Sequence, residues 1–143
     1  MPRIMHLSDA ATLAIHTMVM LACNPKTSRT VAEMAQAHGA SESHLAKVMQ
    51  RLTRVGLVHS TRGPKGGCRL ACDPRTVTLL TVYEAIEGPL EKTECLLDKR
   101  VCSGESCVMG DMLHEMDKHV RGYLSRTHLS DLAHIYGPAP AAK

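Results

Sequence analysis

No stretch limits the possible folds more than Thr30 to Cys72, where the hydrophobic pattern changes its period. Thr30-Val31-Ala32-Glu33 forms a capping box, in which a hydroxyl and a carboxylate satisfy each other's free backbone N–H groups. It opens a short helix that closes at Gly39. Ser41 caps the next helix, expected to run to about Val55, with Leu45, Val48, Met49 and Leu52 inward and Gly56 as its stop. Two helices parted by a few residues around Gly39 make a helix-turn-helix. Beyond Gly56 the period falls to two. Leu57 to Arg62 and Cys68 to Cys72 read as strands flanking Gly63-Pro64-Lys65-Gly66-Gly67, a turn whose glycines allow positive backbone angles. Two basic strands with a glycine-rich tip, directly after a helix-turn-helix, describe a wing.

The flanking segments are helical. Leu7, Ala11, Ala14, Ile15, Met18 and Leu21 recur at three and four, predicting a first helix capped by Ser8 or Asp9 and ended by Asn24-Pro25. Asp73-Pro74 breaks the hairpin, and Leu79, Val82, Tyr83 and Ile86 mark a helix ending at Gly88-Pro89. Met109, Met112, Leu113, Met116, Val120 and Leu124 then form a long apolar stripe on a helix expected to begin near Ser106. That stripe has no evident partner in its own chain, so a second copy is expected to cover it. The tail from Gly137, GPAPAAK, is expected to be disordered. The chain of 143 residues has no Trp and no Phe but nine Met, so its core must be aliphatic and adaptable, which suits packed helices. No run is apolar enough for a membrane span and no signal pattern leads the sequence, so a cytoplasmic protein is expected.

The formal net charge is +3, but residues 41–70 hold Lys47, Arg51, Arg54, Arg62, Lys65 and Arg69 against Glu42 alone. That window is +5 and the remainder −2, so the positive charge is local to the helix-turn-helix and wing. Such a coincidence points to double-stranded DNA. Ser41, Ser43, His44 and Lys47 can reach base edges and phosphates from the first half of the helix, and Arg51 and Arg54 reach the backbone. Arg62, Lys65 and the glycine tip that includes Gly66 suit a minor groove or its phosphates. A two-fold dimer would place two such units one DNA turn apart.

Three cysteines, Cys95, Cys102 and Cys107, fall within the thirteen residues before the long helix, spaced by six and then four residues. In a reducing compartment clustered thiols hold metal or sense redox state more readily than they form disulfides. Soft thiolates on a short loop suit an iron-sulfur cluster or zinc, and the missing Cys-x-x-Cys knuckle argues against a zinc ribbon. With a helix starting near Ser106, Cys107 would occupy its first turn, where the macrodipole favours a thiolate. His114 or His119 could complete a zinc site of three cysteines and one histidine. Cys23, Cys68 and Cys72 read as small packing residues.

The run SESHLAKVMQRLTRVGLVHSTRGPKGGCRL, with its RG-x-x-GG tip, together with the three downstream cysteines, resembles the IscR and NsrR family of winged-helix transcription regulators. The resemblance extends from Leu7 to Leu132. It implies a homodimer that holds an iron-sulfur cluster near the long helix, four-iron four-sulfur ahead of two-iron two-sulfur, and regulates promoters according to cluster state. IscR-like members place a histidine three residues after the third cysteine, where this chain has Gly110. NsrR-like members can use an acidic residue near the start of the first helix of the other subunit, and the matching residue is Asp9. The resemblance thus implies a ligand set of Cys95, Cys102, Cys107 and Asp9, open to nitric oxide or oxygen at the carboxylate-bound iron.

The expected architecture is mainly α with a small β-wing: a winged helix-turn-helix domain over 1–88, a cysteine loop over 89–107, and a dimerisation helix with its C-terminal segment over 108–136. No ordered catalytic triad, phosphate loop or paired catalytic carboxylates stand out, so no enzyme is expected. Two alternatives stay open: a zinc-stabilised or thiol-switch repressor on this fold, and a small iron-sulfur redox or carrier protein without DNA binding. The latter leaves the basic wing unexplained.

Overall fold

The computed structural model describes residues 7–97, 99, 101–102 and 107–137. Its elements are α1 (Asp9–Cys23), α2 (Val31–His38), α3 (Glu42–Arg54), β1 (Val58–Thr61), β2 (Gly67–Leu70), α4 (Leu79–Glu87), α5 (Gly110–Arg126), α6 (Leu129–Leu132) and a 3-10 turn (Ala133–Tyr136). Mainly helical with one two-stranded antiparallel sheet, this is the expected winged helix.

The helix ends form where side chains can satisfy the free backbone groups. Ser8 caps α1 by accepting the Ala11 N–H at 3.0 Å. Before α2 both halves of the capping box are made, Glu33 N–H to Thr30 Oγ1 at 3.2 Å and Thr30 N–H to Glu33 Oε2 at 2.8 Å. Gly39, at φ 62°, ends α2 in the left-handed region, and Ser41 then caps α3.

The core forms around α1, which packs against α3, α4, α6 and the 3-10 turn. Met18, Leu21, Met34, Leu45, Leu52, Val58, Val82 and Leu129 are fully enclosed. Each contributes about 1.5–3 kcal/mol by leaving water. The inward set Leu45, Val48, Met49 and Leu52 of α3 is buried as its spacing requires, which turns Ser41, Ser43, Lys47, Gln50, Arg51 and Arg54 outward.

The wing pairs Val58 with Leu70 and Thr61 with Gly67, a shorter ladder than the sequence predicts. Beyond it, the Leu57 N–H is already held by the Leu52 carbonyl, while Ala71 N–H still reaches the Leu57 carbonyl. Cys68 and Leu70 are buried; Cys72, past the end of β2, is half-buried, and burial pushes both thiols up in pKa. A bridge that the sequence does not announce joins Arg29 and Cys68, with N–H to carbonyl bonds of 2.9 and 2.7 Å in the two directions. The α1–α2 connection therefore acts as a third rung of the wing.

Two expectations about the long helix need correction. It begins at Gly110, not near Ser106, and Met109 offers its first turn no side-chain cap. Cys107 stands in the preceding turn, its carbonyl accepting the Gly110 N–H at 3.2 Å, so the macrodipole argument does not apply to it as stated. The stripe also has a partner in its own chain. The return after Pro89 lays α5 along α4, burying Leu113 and Leu124 and seating Val120 against the core, while Met109, Met112 and Tyr123 remain exposed. The C-terminal segment folds back too: Leu79 N–H donates to Thr127 O and Leu129 N–H to Val77 O, both at 2.9 Å. The tail expected to be disordered lies, beyond Gly137, outside the described residues.

Candidate nucleic-acid interface and cysteine loop

Exposed polar and basic groups lie along α3 and the wing. Ser41, Ser43 and Lys47 are exposed along the first half of α3 and His44 is half-buried beside them. Ser41 is committed through its side chain, accepting the His44 N–H at 3.2 Å. Arg62, Lys65 and Arg69 are exposed on the wing. Gly66 has a steric role: its N–H donates to Gly63 O at 2.9 Å, and a Cβ there would lie 2.2 Å from the Thr61 carbonyl oxygen. Only glycine lets the tip fold so tightly, and Lys65 beside it is exposed. A cleft of about 440 Å³ between α3 and the wing is lined by Gln50, Arg54 and Ser60, with Cys68 among its walls. Arg51 is exposed on α3, and its Nη1 donates to the Ile86 carbonyl of α4 at 3.2 Å.

On the other side, an apolar groove of about 330 Å³ runs between α4, the cysteine loop and α5, bordered by Leu7, Tyr83, Leu90, Met112 and Val120. Cys95, Cys102 and Cys107 are free and half-buried, and the Leu97 N–H donates to Cys95 Sγ at 3.4 Å. Among the described residues, no three His, Cys, Asp or Glu side chains converge closely enough to hold a metal. Thiolates without a cation repel one another, and ligands of this kind are commonly drawn together only by the metal itself. Three soft donors on one loop fit an iron-sulfur centre by their chemistry.

Gly110 stands against this loop, since a Cβ there would lie 3.1 Å from that of Cys107. His114 and His119 are exposed on α5, His119 Nδ1 is paired with the Glu115 carbonyl at 3.1 Å, and among the described residues neither joins a group of three potential metal ligands. Asp9, the first residue of α1, is exposed. It borders a cavity of about 280 Å³ with His38, Ser41 and His44, beside the start of α3. Among the described residues of one chain it joins no group of three or more potential metal ligands. Cys23 packs as expected, its thiol donating to the Tyr136 carbonyl at 3.2 Å.

Comparison with known proteins agrees with this arrangement. The family model described as Rrf2, iron-dependent transcriptional regulator, matches residues 7–135. A protein of Aquifex aeolicus whose name places it among HTH-type transcriptional regulators is 30% identical over 134 residues, 92% of this chain and 93% of its own. The HTH-type transcriptional regulator IscR of Vibrio vulnificus is 27% identical over 129 residues, 90% of this chain and 77% of its own. Among solved structures, CymR, the global cysteine regulator of B. subtilis, superposes with a TM-score of 0.75 at 26% identity, covering 92% of this chain and 98% of that one. IscR of T. potens has a TM-score of 0.70 over 98% of this chain and 94% of its own; at 20% identity that likeness speaks for the fold alone.

Proposed function

This chain belongs to the Rrf2 family of iron-dependent transcriptional regulators, and from that premise we propose that it is a homodimeric repressor whose grip on its operator is set by an iron-sulfur cluster. Residues 1–88 form the DNA-binding unit, 89–107 the sensor loop, and 108–136 the dimerisation helix and the segment that follows it. Ser43, His44 and Lys47 read the major groove, Ser41 holds the start of α3 beside it, and Arg62 and Lys65 grip the flanking phosphates or minor groove. Cys95, Cys102 and Cys107 hold the cluster, four-iron four-sulfur, with Asp9 of a second copy as fourth ligand. When bound, the cluster supplies a tie between two chains that nitric oxide, oxygen or iron shortage can undo.

The observation that carries this reading is the position of Asp9. It shares a cavity with Ser41 and His44 at the start of α3, so whatever holds Asp9 bears on the helix that faces DNA. A tenfold change in operator affinity needs only about 1.4 kcal/mol of bias between two dimer arrangements.

Anaerobic purification, with iron and sulfide counts and an absorption spectrum, tests the reading. Wild-type protein should be coloured, and Cys102→Ala should lose the visible absorbance while remaining folded. An iron-free, colourless wild type that binds its operator undiminished would refute it. The three cysteines are free and half-buried, which also suits a thiol switch as second reading; that reading predicts iron-free protein whose operator affinity falls on mild oxidation.

A further inference from the structure

The end of α4 and the turn after it, from Ile86 to Leu90, are held by side chains from α1, α3 and α5 and by the helix's own Glu84. Arg51 of α3 donates from Nη1 to the Ile86 carbonyl at 3.2 Å. Glu87 accepts from the hydroxyl of Ser8, the cap of α1. The helix stops at Gly88, whose φ of 84° turns the chain, and Leu90 is clamped on both sides. Its N–H reaches the Glu84 carboxylate at 3.2 Å, and its carbonyl takes Nη2 of Arg121 on α5 at 2.9 Å. Arg121 is itself tied to Asp117 at 3.2 Å. The cysteine loop begins here, with Cys95 five residues after Leu90.

We propose that Arg51 is a positioning residue that couples the cysteine loop to the DNA-facing helix through the end of α4, rather than a contact to DNA phosphate. The inference rests on the reading of the loop as the sensor. The carbonyls of a last helical turn lack intrahelical partners and carry the negative end of the dipole, so a guanidinium there makes a directional, charge-assisted bond. A movement of Leu90 that keeps these bonds shifts Glu84 and Arg121 with it. A shift of Glu84 tilts the last turn of α4, and Arg51 passes that tilt to the C-terminal end of α3. Ser8 transmits the same movement to α1, which carries Asp9. The root of the loop and the DNA-facing helix thus share one short hydrogen-bonded segment, a contiguous route along which coupling can be carried.

The test compares wild type, Arg51→Ala, Arg51→Lys, Arg121→Ala and the Arg51→Ala/Arg121→Ala double variant. Each is loaded with iron and sulfide or stripped with chelator. The probe is a duplex enriched by the wild-type protein from a random-sequence library, and affinity is followed across a salt series. Arg51→Ala should keep the wild-type salt slope while the ratio of loaded to stripped affinity shrinks by about threefold or more, a size within ordinary coupling energies. Arg51→Lys should recover part of that ratio, and the double variant should lose no more than either single one. A salt slope lower by about 0.9 marks Arg51 as a phosphate contact and overturns the inference, as does an unchanged ratio. If loading leaves wild-type affinity unchanged, the sensor reading fails by itself and the stripped proteins decide. Effects of Arg51→Ala and Arg121→Ala that multiply independently then overturn the coupling, and non-additivity of about threefold sustains it.

Discussion

Thr17 is fully buried in α1, and its hydroxyl finds no hydrogen-bond partner among the described residues. An unsatisfied buried hydroxyl costs about 1–3 kcal/mol, and valine has nearly the same shape. Thr17→Val should therefore stabilise the fold by about 1 kcal/mol, read as a rise of a few degrees in Tm. His38 raises a related issue with a pH dependence. Its Nε2 is buried without a partner among the described residues, and its ring meets those of His16 and Tyr136 edge-on, with centroids 6.1 and 5.9 Å away. Burial, and then the nearby charge of His16, hold its pKa below the usual histidine value. Asp9 and His44, which border the same cavity, are the other titratable groups nearby. The folded chain thus resists a proton that the unfolded chain accepts below about pH 6.5. Stability from this residue is present above that pH and is lost as pH falls through the depressed folded value. Denaturant titrations from neutral to mildly acidic pH should show a steeper decline for wild type than for His38→Gln; parallel curves would exclude His38 as the source.

At the level of elements, the capping box before α2 is the feature most open to a single change. Thr30→Ala removes the acceptor for the Glu33 N–H and should cost about 1 kcal/mol in urea unfolding with an unchanged m-value. Because α2 packs on α3, the loss should also loosen the DNA-facing helix and weaken duplex binding at constant salt slope. The caps of α2 and α3, the stops at Gly39 and Gly56 and the inward set of α3 were legible from spacing, since they depend on neighbours within a turn or two. The start of α5 was not: Ser106 has the chemistry of a cap, but the helix begins after Met109 without one. The Arg29 rung of the wing was equally hidden, because pairing with Cys68 depends on how α1 and β2 are placed in space.

For the whole molecule, the exposed part of the α5 stripe is where a second copy is proposed to dock. Met112→Glu keeps a good helix former while placing a charge in that surface. It should shift the protein to monomer in sedimentation and weaken duplex binding by about a hundredfold, the low end of what two linked half-sites contribute. A variant that stays dimeric would move the interface elsewhere. Leu113 and Leu124 of the same helix are spent inside the chain, so only its exposed side is left for the proposed second copy. An apolar stripe read alone cannot show how its width is divided between the two.

The sequence by itself determined the local grammar: which residues cap, which stop, which face inward, where positive charge gathers, and that three thiols share a loop. Periodicity and capping act over a few residues, so they can be read without coordinates. Only the tertiary structure decided what depends on distant segments meeting: α5 returning onto α4, the C-terminal turn closing over α1, Asp9 lying beside the start of α3 and Arg51 turning to the end of α4. A guanidinium takes the acceptor within its reach, and which acceptor that is follows from the packing of helices far apart in the chain.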